Sequence, residues 1–218
     1  MTLSQWKKLF DLSDRYGFVI ASDECYSEIH FGTPPLGGLE AAHRLGRDAY
    51  PRLIMLSSLS KRSNVPGMRS GFVAGDETLI GKFLLYRTYH GTAMSETVQA
   101  ASIAAWNDER HVEKNRAKYI GKFREALPVL RQVLNVAMPD AGFYLWAEVH
   151  EKTGLSDTEF ARALYESHNV TVLPGSYLAR DAQGENPGKN RIRIALVAEP
   201  EECREGIGRI AEFARKHS

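Results

Sequence analysis

The chain has 218 residues, a formal net charge of +1, 43% hydrophobic residues and 25% charged residues, which describes a globular protein of one or two domains and excludes a disordered or fibrous one. Near-neutral charge removes the general electrostatic reason to expect nucleic acid or an anionic membrane as partner, and no apolar run approaches the ~20 residues of a membrane span. The first residues lack the apolar core of a signal peptide, and Cys25 and Cys203 lie far apart, so the reading is a reduced, cytoplasmic α/β enzyme without a disulfide framework.

In chain order, Thr2 and Gln5 have capping-box spacing, and Trp6, Leu9, Phe10, Ser13 and Tyr16 follow a helical period that Gly17 ends. Residues 18–21, 53–56 and 71–75 are short apolar runs of the kind found in buried parallel strands. Open α/β sheets hold ligands at the carboxyl ends of their strands, which directs attention to 22–26 and 57–61. Asp76 and Ser95 are N-caps for helices over 77–90 and 96–107. A periodic stretch over 109–135 predicts a long helix that Pro128 should kink or interrupt, at a cost of about 3 kcal/mol. Strand-like 143–149 is followed by a helix opened by Ser156 with Glu159, then by a strand over 170–173. The segment 180–190, rich in Gly, Asn and Asp, has disorder-prone composition. Residues 191–197 alternate like an antiparallel strand with one wet face, and a last helix runs from acidic Glu199-Pro200-Glu201-Glu202 to basic Arg215-Lys216-His217. The rhythm changes near residue 120, so an α/β layer precedes a smaller α+β unit.

Two segments carry candidate chemistry. In Ser58-Leu59-Ser60-Lys61, a lysine just past a buried strand becomes a nucleophilic amine when desolvated or placed beside another cation. The nearby hydroxyls and Arg69 make a phosphate cradle, Arg supplying a planar fork of donors; the competing reading is a solvated surface loop. Asp23, after the first apolar run, is open to three readings: a metal ligand, a helix cap, or a partner for a cationic ring nitrogen.

Together these segments resemble the class I/II aminotransferases of the aspartate aminotransferase fold type. That family's pattern is Asp-x-x-Tyr, then Ser-x-x-Lys, then Arg eight residues past the lysine. It is met by Asp23-Glu24-Cys25-Tyr26, by Ser58-Leu59-Ser60-Lys61 and by Arg69, with Ser70 where the family prefers an aliphatic residue. The stretch 57–71, Gly142-Phe143-Tyr144-Leu145-Trp146 and Arg193-Ile194-Ala195-Leu196 look most like the bacterial N-succinyldiaminopimelate aminotransferases. The resemblance implies an α/β fold: the later half of a large, mainly parallel-sheet domain at 1–122, then a C-terminal α+β domain at 123–218. It implies pyridoxal 5'-phosphate as cofactor. Lys61 would be the Schiff-base residue and proton carrier, Asp23 the partner of the pyridine nitrogen, and Tyr26 the donor to the ring oxygen. Ser58 and Arg69 would hold the phosphate, with Ser60 a further candidate, and Arg193 would grip the substrate carboxylate. Arg191, two residues away, shares its strand face. Amino-acid and 2-oxo-acid substrates and a homodimer are implied as partners, and no metal.

Members of that family run to roughly twice this length, and this chain starts where the helix after their Asn-Pro-x-x-Pro-Thr-Gly motif would start. The expectation is a truncated reading frame with Met1 as an internal methionine, weak cofactor binding, exposed strand edges and poor solubility. Two other readings compete. One is a catalytically impaired fragment acting as a binding or dimerisation module. The other is a serine acyl-transferase or hydrolase, because Ser58-x-x-Lys61 with Lys152-Thr153-Gly154 also matches two boxes of the penicillin-recognising enzymes. Tyr86, Tyr89 and His90 are read as packing on a helix core, with an approach to a partner subunit's site as the alternative. The seven histidines have no ligand spacing.

Overall fold

Helix α1 (Leu3–Tyr16) forms as its ends dictate. The Thr2 hydroxyl accepts from the Gln5 amide at 3.3 Å, the Gln5 side chain accepts from the Thr2 amide at 2.7 Å, and Gly17 closes the helix at φ 73°. The computed structural model describes residues 1–91 and 93–218. These divide into two compact units, Met1–Arg116 and Ala117–Ser218.

In the first unit, α1 buries Trp6 and Phe10 with Ile20, Leu53, and Ala41 and Ala42 of α2 (Gly38–Arg44). Strand β1 (Ile20–Asp23) lies parallel to β2 (Leu53–Ser58), with Ile20 opposite Leu53 and Asp23 opposite Leu56. The strand starts later than its apolar run because the Ser13 hydroxyl holds the Phe18 carbonyl at 2.6 Å, leaving Phe18 and Val19 exposed before pairing begins. After β2 come the short helix α3 (Leu59–Arg62), a 3-10 turn at Pro66–Met68 and β3 (Gly71–Gly75).

The third apolar run was expected to be a parallel strand; β3 is antiparallel to β2. The excursion through α3 returns beside its own start, pairing Gly71 with Ser58, so the strand can only run back along β2. Gly71 permits that approach, since a Cβ there would sit 2.7 Å from the Ser57 carbonyl oxygen. Helices α4 (Glu77–His90) and α5 (Glu96–Trp106) start at the side-chain caps Asp76 and Ser95. Helix α4 buries none of its residues, which overturns the core-packing expectation for Tyr86, Tyr89 and His90: Tyr89 is 80% exposed, and the Tyr86 and His90 rings stack on each other at 4.9 Å.

Helix α6 (Arg110–Leu130) crosses the division between the units, and the expected boundary at 122/123 falls within the same helix. It passes through Pro128 and ends two residues later. A proline so close to the C-terminal end costs one ladder bond where the helix is about to stop.

The second unit orders its sheet β4-β5-β7-β6, from β4 (Asn135–Val136), β5 (Tyr144–Glu148), β6 (Leu173–Pro174) and β7 (Arg191–Ala195), all pairs antiparallel. The short α7 (His150–Thr153) follows β5. Helix α8 (Asp157–His168), opened by the Ser156–Glu159 capping box, and α9 (Pro200–Lys216) contribute Phe160 and Phe213, which meet edge-on at 5.0 Å. The strand expected over 170–173 shrinks to two residues, one of them Pro174, which has no amide to donate. Nor does 180–190 behave as its composition suggests: Ala182 and Glu185 bridge, Asn186 donates to the Ser176 carbonyl at 3.2 Å, and Gly188 is buried against Gly175. No helix of the described residues is long and apolar enough to cross a membrane.

Candidate active site

The carboxyl ends of β1 and β2 are adjacent because the strands are parallel and in register, so the segments that follow them meet. Asp23 is exposed at the tip of β1, and its carboxylate accepts from the Cys25 amide at 3.1 Å. Ser58, the residue before α3, points its hydroxyl at the Cys25 sulfur, 3.5 Å away. One turn on, the Lys61 amine nitrogen stands 5.7 Å from the centre of the Tyr26 ring, within cation–π range. Asp23, Tyr26, Ser58 and Lys61 thus converge, with Cys25 between them. Burial pushes the Cys25 thiol up from its ordinary value, against the hydrogen bond from Ser58. Among the described residues no group of three His, Cys, Asp or Glu side chains could hold a metal ion.

Two local devices hold these segments in place. Glu24 accepts from the Ser22 hydroxyl at 2.9 Å and from the Gly38 amide at 2.7 Å, tying the end of β1 to the start of α2. Beyond the lysine, Arg69 sits at φ 53° and donates to the Pro66 carbonyl at 2.8 Å. It is exposed and held within its own turn rather than against Ser58. Ser60 is half-buried on α3.

Arg193 belongs to the second unit. Ile192 and Ile194 are buried while Arg191 and Arg193 take the other face of β7, the alternation its sequence predicts. The Arg193 guanidinium lies 4.4 Å from the Tyr144 ring centre on the neighbouring strand. Stacking of this kind uses the flat face of a guanidinium, whose in-plane fork is the edge that suits a carboxylate. A cavity of about 620 Å³ in this unit is lined by Arg193, Cys203 and Arg209, whereas in the Lys61 cluster Asp23 is exposed and Tyr26, Ser58 and Lys61 are half-buried. Chemistry rather than cavity volume marks the candidate site.

The family model for aminotransferase class I and II matches residues 1–210. The chain belongs to this family. An aminotransferase structure from Neisseria meningitidis is 53% identical and superposes with a TM-score of 0.89, over 100% of this chain and 54% of that one. A probable N-succinyldiaminopimelate aminotransferase structure from Thermus thermophilus is 26% identical, with a TM-score of 0.80, over 98% and 54% of the two chains. The 4-dedimethylamino-4-oxo-anhydrotetracycline transaminase of Streptomyces rimosus is 33% identical over 89% of this chain and 51% of its own length. The chain spans about half the length of the relatives it matches. Class I and II aminotransferases are pyridoxal phosphate dependent. The matches give no support to the serine acyl-transferase reading, and its Lys152-Thr153-Gly154 box forms the end of α7, with the Thr153 hydroxyl donating to the Val149 carbonyl at 2.7 Å.

The donor set fits that cofactor. An exposed carboxylate suits a protonated ring nitrogen, a primary amine suits an aldehyde, and hydroxyls with a guanidinium in the following turn suit a phosphate. Sequence reasoning missed Cys25 and Glu24 as parts of this arrangement. Both lie inside the Asp-x-x-Tyr motif, and a polar residue between two motif positions was the available signal.

Proposed function

We propose that this chain carries the lysine-bearing half of a pyridoxal-phosphate-dependent transaminase that moves an amino group between an amino acid and 2-oxoglutarate. The convergence of Lys61 and Tyr26 with Ser58 and Asp23 supports it most directly. Residues 1–122 then form the later part of the cofactor domain and 123–218 the small domain of a cytoplasmic homodimer. The cofactor, when bound, supplies an electron sink for charge developing at the substrate α-carbon. The chain's own residues do the rest. Lys61 is the attachment point, and its amine nitrogen carries the proton to and from that carbon. Asp23 pairs with the ring nitrogen and Tyr26 donates to the ring oxygen. Ser58 and Arg69 take the phosphate, Arg69 having only Nη1 on the Pro66 carbonyl. Arg193 pairs with the substrate carboxylate through its two-pronged edge.

For the amino donor we propose a diaminopimelate-type amino acid, N-succinylated or free. An N-succinyldiaminopimelate aminotransferase lies among the structural neighbours, and an LL-diaminopimelate aminotransferase of Dehalococcoides mccartyi is 29% identical over 97% of this chain. The test is an absorbance titration with pyridoxal phosphate, borohydride reduction and peptide mass spectrometry. An adduct on Lys61 is expected. A folded chain that yields none, or yields it on another lysine, overturns the assignment.

A further inference from the structure

Arg62, the residue after the proposed attachment lysine, is the most deeply buried charged side chain of the first unit, 4% exposed. A guanidinium is rarely buried unless its lost hydration is offset, and here three groups offset it. It donates to the Ala105 carbonyl at 2.8 Å and to the Glu109 carboxylate, and its plane lies 4.9 Å from the centre of the Trp106 ring. All three stand at the corner between α5 and α6. Ser63, the next residue, meets that corner too: its hydroxyl is 2.8 Å from His111 Nε2, whose Nδ1 is 3.0 Å from Asp108.

Helix α6 reaches the other site segment as well. Arg116 donates from Nε to the Glu28 carbonyl at 2.7 Å and from Nη2 to the Glu28 carboxylate at 3.0 Å, two residues past Tyr26. The lysine segment and the tyrosine segment are thus each fastened to α6, and they meet where the Lys61 amine faces the Tyr26 ring. A four-residue helix such as α3 has too few internal bonds to fix a side chain's direction. Its orientation must come from outside.

We propose that Arg62 is the positioning residue for Lys61: anchored at the α5–α6 corner, it sets the direction in which α3 presents the lysine amine beside Tyr26. Arg116 does the same for the tyrosine segment through Glu28. This rests on the reading of Lys61 as the attachment residue, and the test separates the two. The variants are Arg62→Met, which keeps the stem over Trp106 but loses the donors, and Arg62→Lys, which keeps the charge but not the fork.

Three quantities are read at a temperature where circular dichroism shows each variant folded: the pyridoxal phosphate dissociation constant, the pH midpoint of the bound cofactor's absorbance, and the borohydride-trapped yield on Lys61. A rise in dissociation constant of tenfold or more and a shifted pH midpoint are expected for Arg62→Met, with Arg62→Lys in between. A folded Arg62→Met with wild-type affinity and midpoint overturns the proposal and leaves Arg62 a purely structural residue.

If wild type traps no cofactor on Lys61, the functional reading fails by itself. The positioning claim is then read from the acetylation rate of Lys61 relative to Lys7 in the same sample. A change of threefold or more in that ratio on Arg62→Met is expected, and an unchanged ratio refutes it. Should Arg62→Met not fold, Glu109→Gln, altered at the exposed end of the pair, is measured in the same ways: a weakened affinity or changed ratio is expected, and wild-type values refute the proposal.

Discussion

Helices α9 and α4 show how differently the two units treat their apolar residues. Helix α9 places Ile207, Ile210, Ala211, Phe213 and Ala214 on one stripe and buries all of them. Helix α4 carries Phe83, Leu84, Leu85, Tyr86 and Tyr89 and buries none. The apolar residues of α9 recur at three- and four-residue spacing, while those of α4 run consecutively around the axis. A helix apolar on all sides belongs inside something larger than the layer it is attached to, so the first unit is a partial layer and the second a closed core. The site segments sit on the partial layer.

The sharpest way to separate the units is to act on that layer's chemistry alone. Lys61→Ala is expected to abolish the borohydride-trapped adduct entirely while leaving unfolding of the second unit unchanged, measured by mass spectrometry and by hydrogen exchange of α9. An adduct persisting on the variant would detach the chemistry from this lysine.

Next in size is the closed core. Phe213 is 1% exposed and packs against the rings of Phe160, His168 and His217. Phe213→Ala should cost about 3–5 kcal/mol in denaturant unfolding, because it leaves a cavity that neighbouring rings cannot fill. A loss below about 1 kcal/mol would show that this core collapses freely and is not close-packed.

Asp157 offers a smaller and pH-dependent effect. It is buried at the start of α8 and accepts from the Ser176 amide at 2.9 Å and the Asn190 amide at 3.2 Å, joining the helix to the residue before β7. Burial pushes its carboxyl up, but the hydrogen bonds from Ser176 and Asn190 outweigh this and hold it below the usual carboxylate value of 3.8. A depressed folded-state value stabilises the fold above the unfolded value, and the stabilisation is lost as pH falls through the folded one. The second unit should therefore weaken as pH drops below 3.8. Asp157→Asn should lose about 1–3 kcal/mol at pH 7 and show a flatter profile over that acid range. An unchanged profile would refute the assignment.

What the sequence disclosed was local. Capping pairs such as Thr2–Gln5 and Ser156–Glu159 are complete within four residues, so those helix starts could be read directly. The Asp23 to Tyr26 and Ser58 to Lys61 motifs were legible because each is a short spacing at a strand end. What stayed hidden depended on distant partners. Arg62 and Glu109 are 47 residues apart, and Arg116 and Glu28 are 88 apart, with no periodicity to announce either pair. The direction of β3 and the order in 180–190 were hidden likewise, because Gly71 and Gly188 matter through the backbone each one touches.

The smallest expected effect bears on the contrast between α4 and α9 directly. Leu85 is 62% exposed, so Leu85→Gln removes almost no buried area and should change stability by less than about 0.5 kcal/mol. The same change made in α9, Ile210→Gln, inserts an amide at a position 1% exposed and should unfold the second unit or weaken it by several-fold more. What Leu85→Gln should alter is association: an exposed apolar surface of this kind draws chains together, and each polar replacement weakens that attraction. Sedimentation velocity across a concentration series should show less self-association for the variant at equal stability. If instead Leu85→Gln destabilises the fold as much as Ile210→Gln, then α4 is packed in solution, and the contrast between a partial layer and a closed core fails.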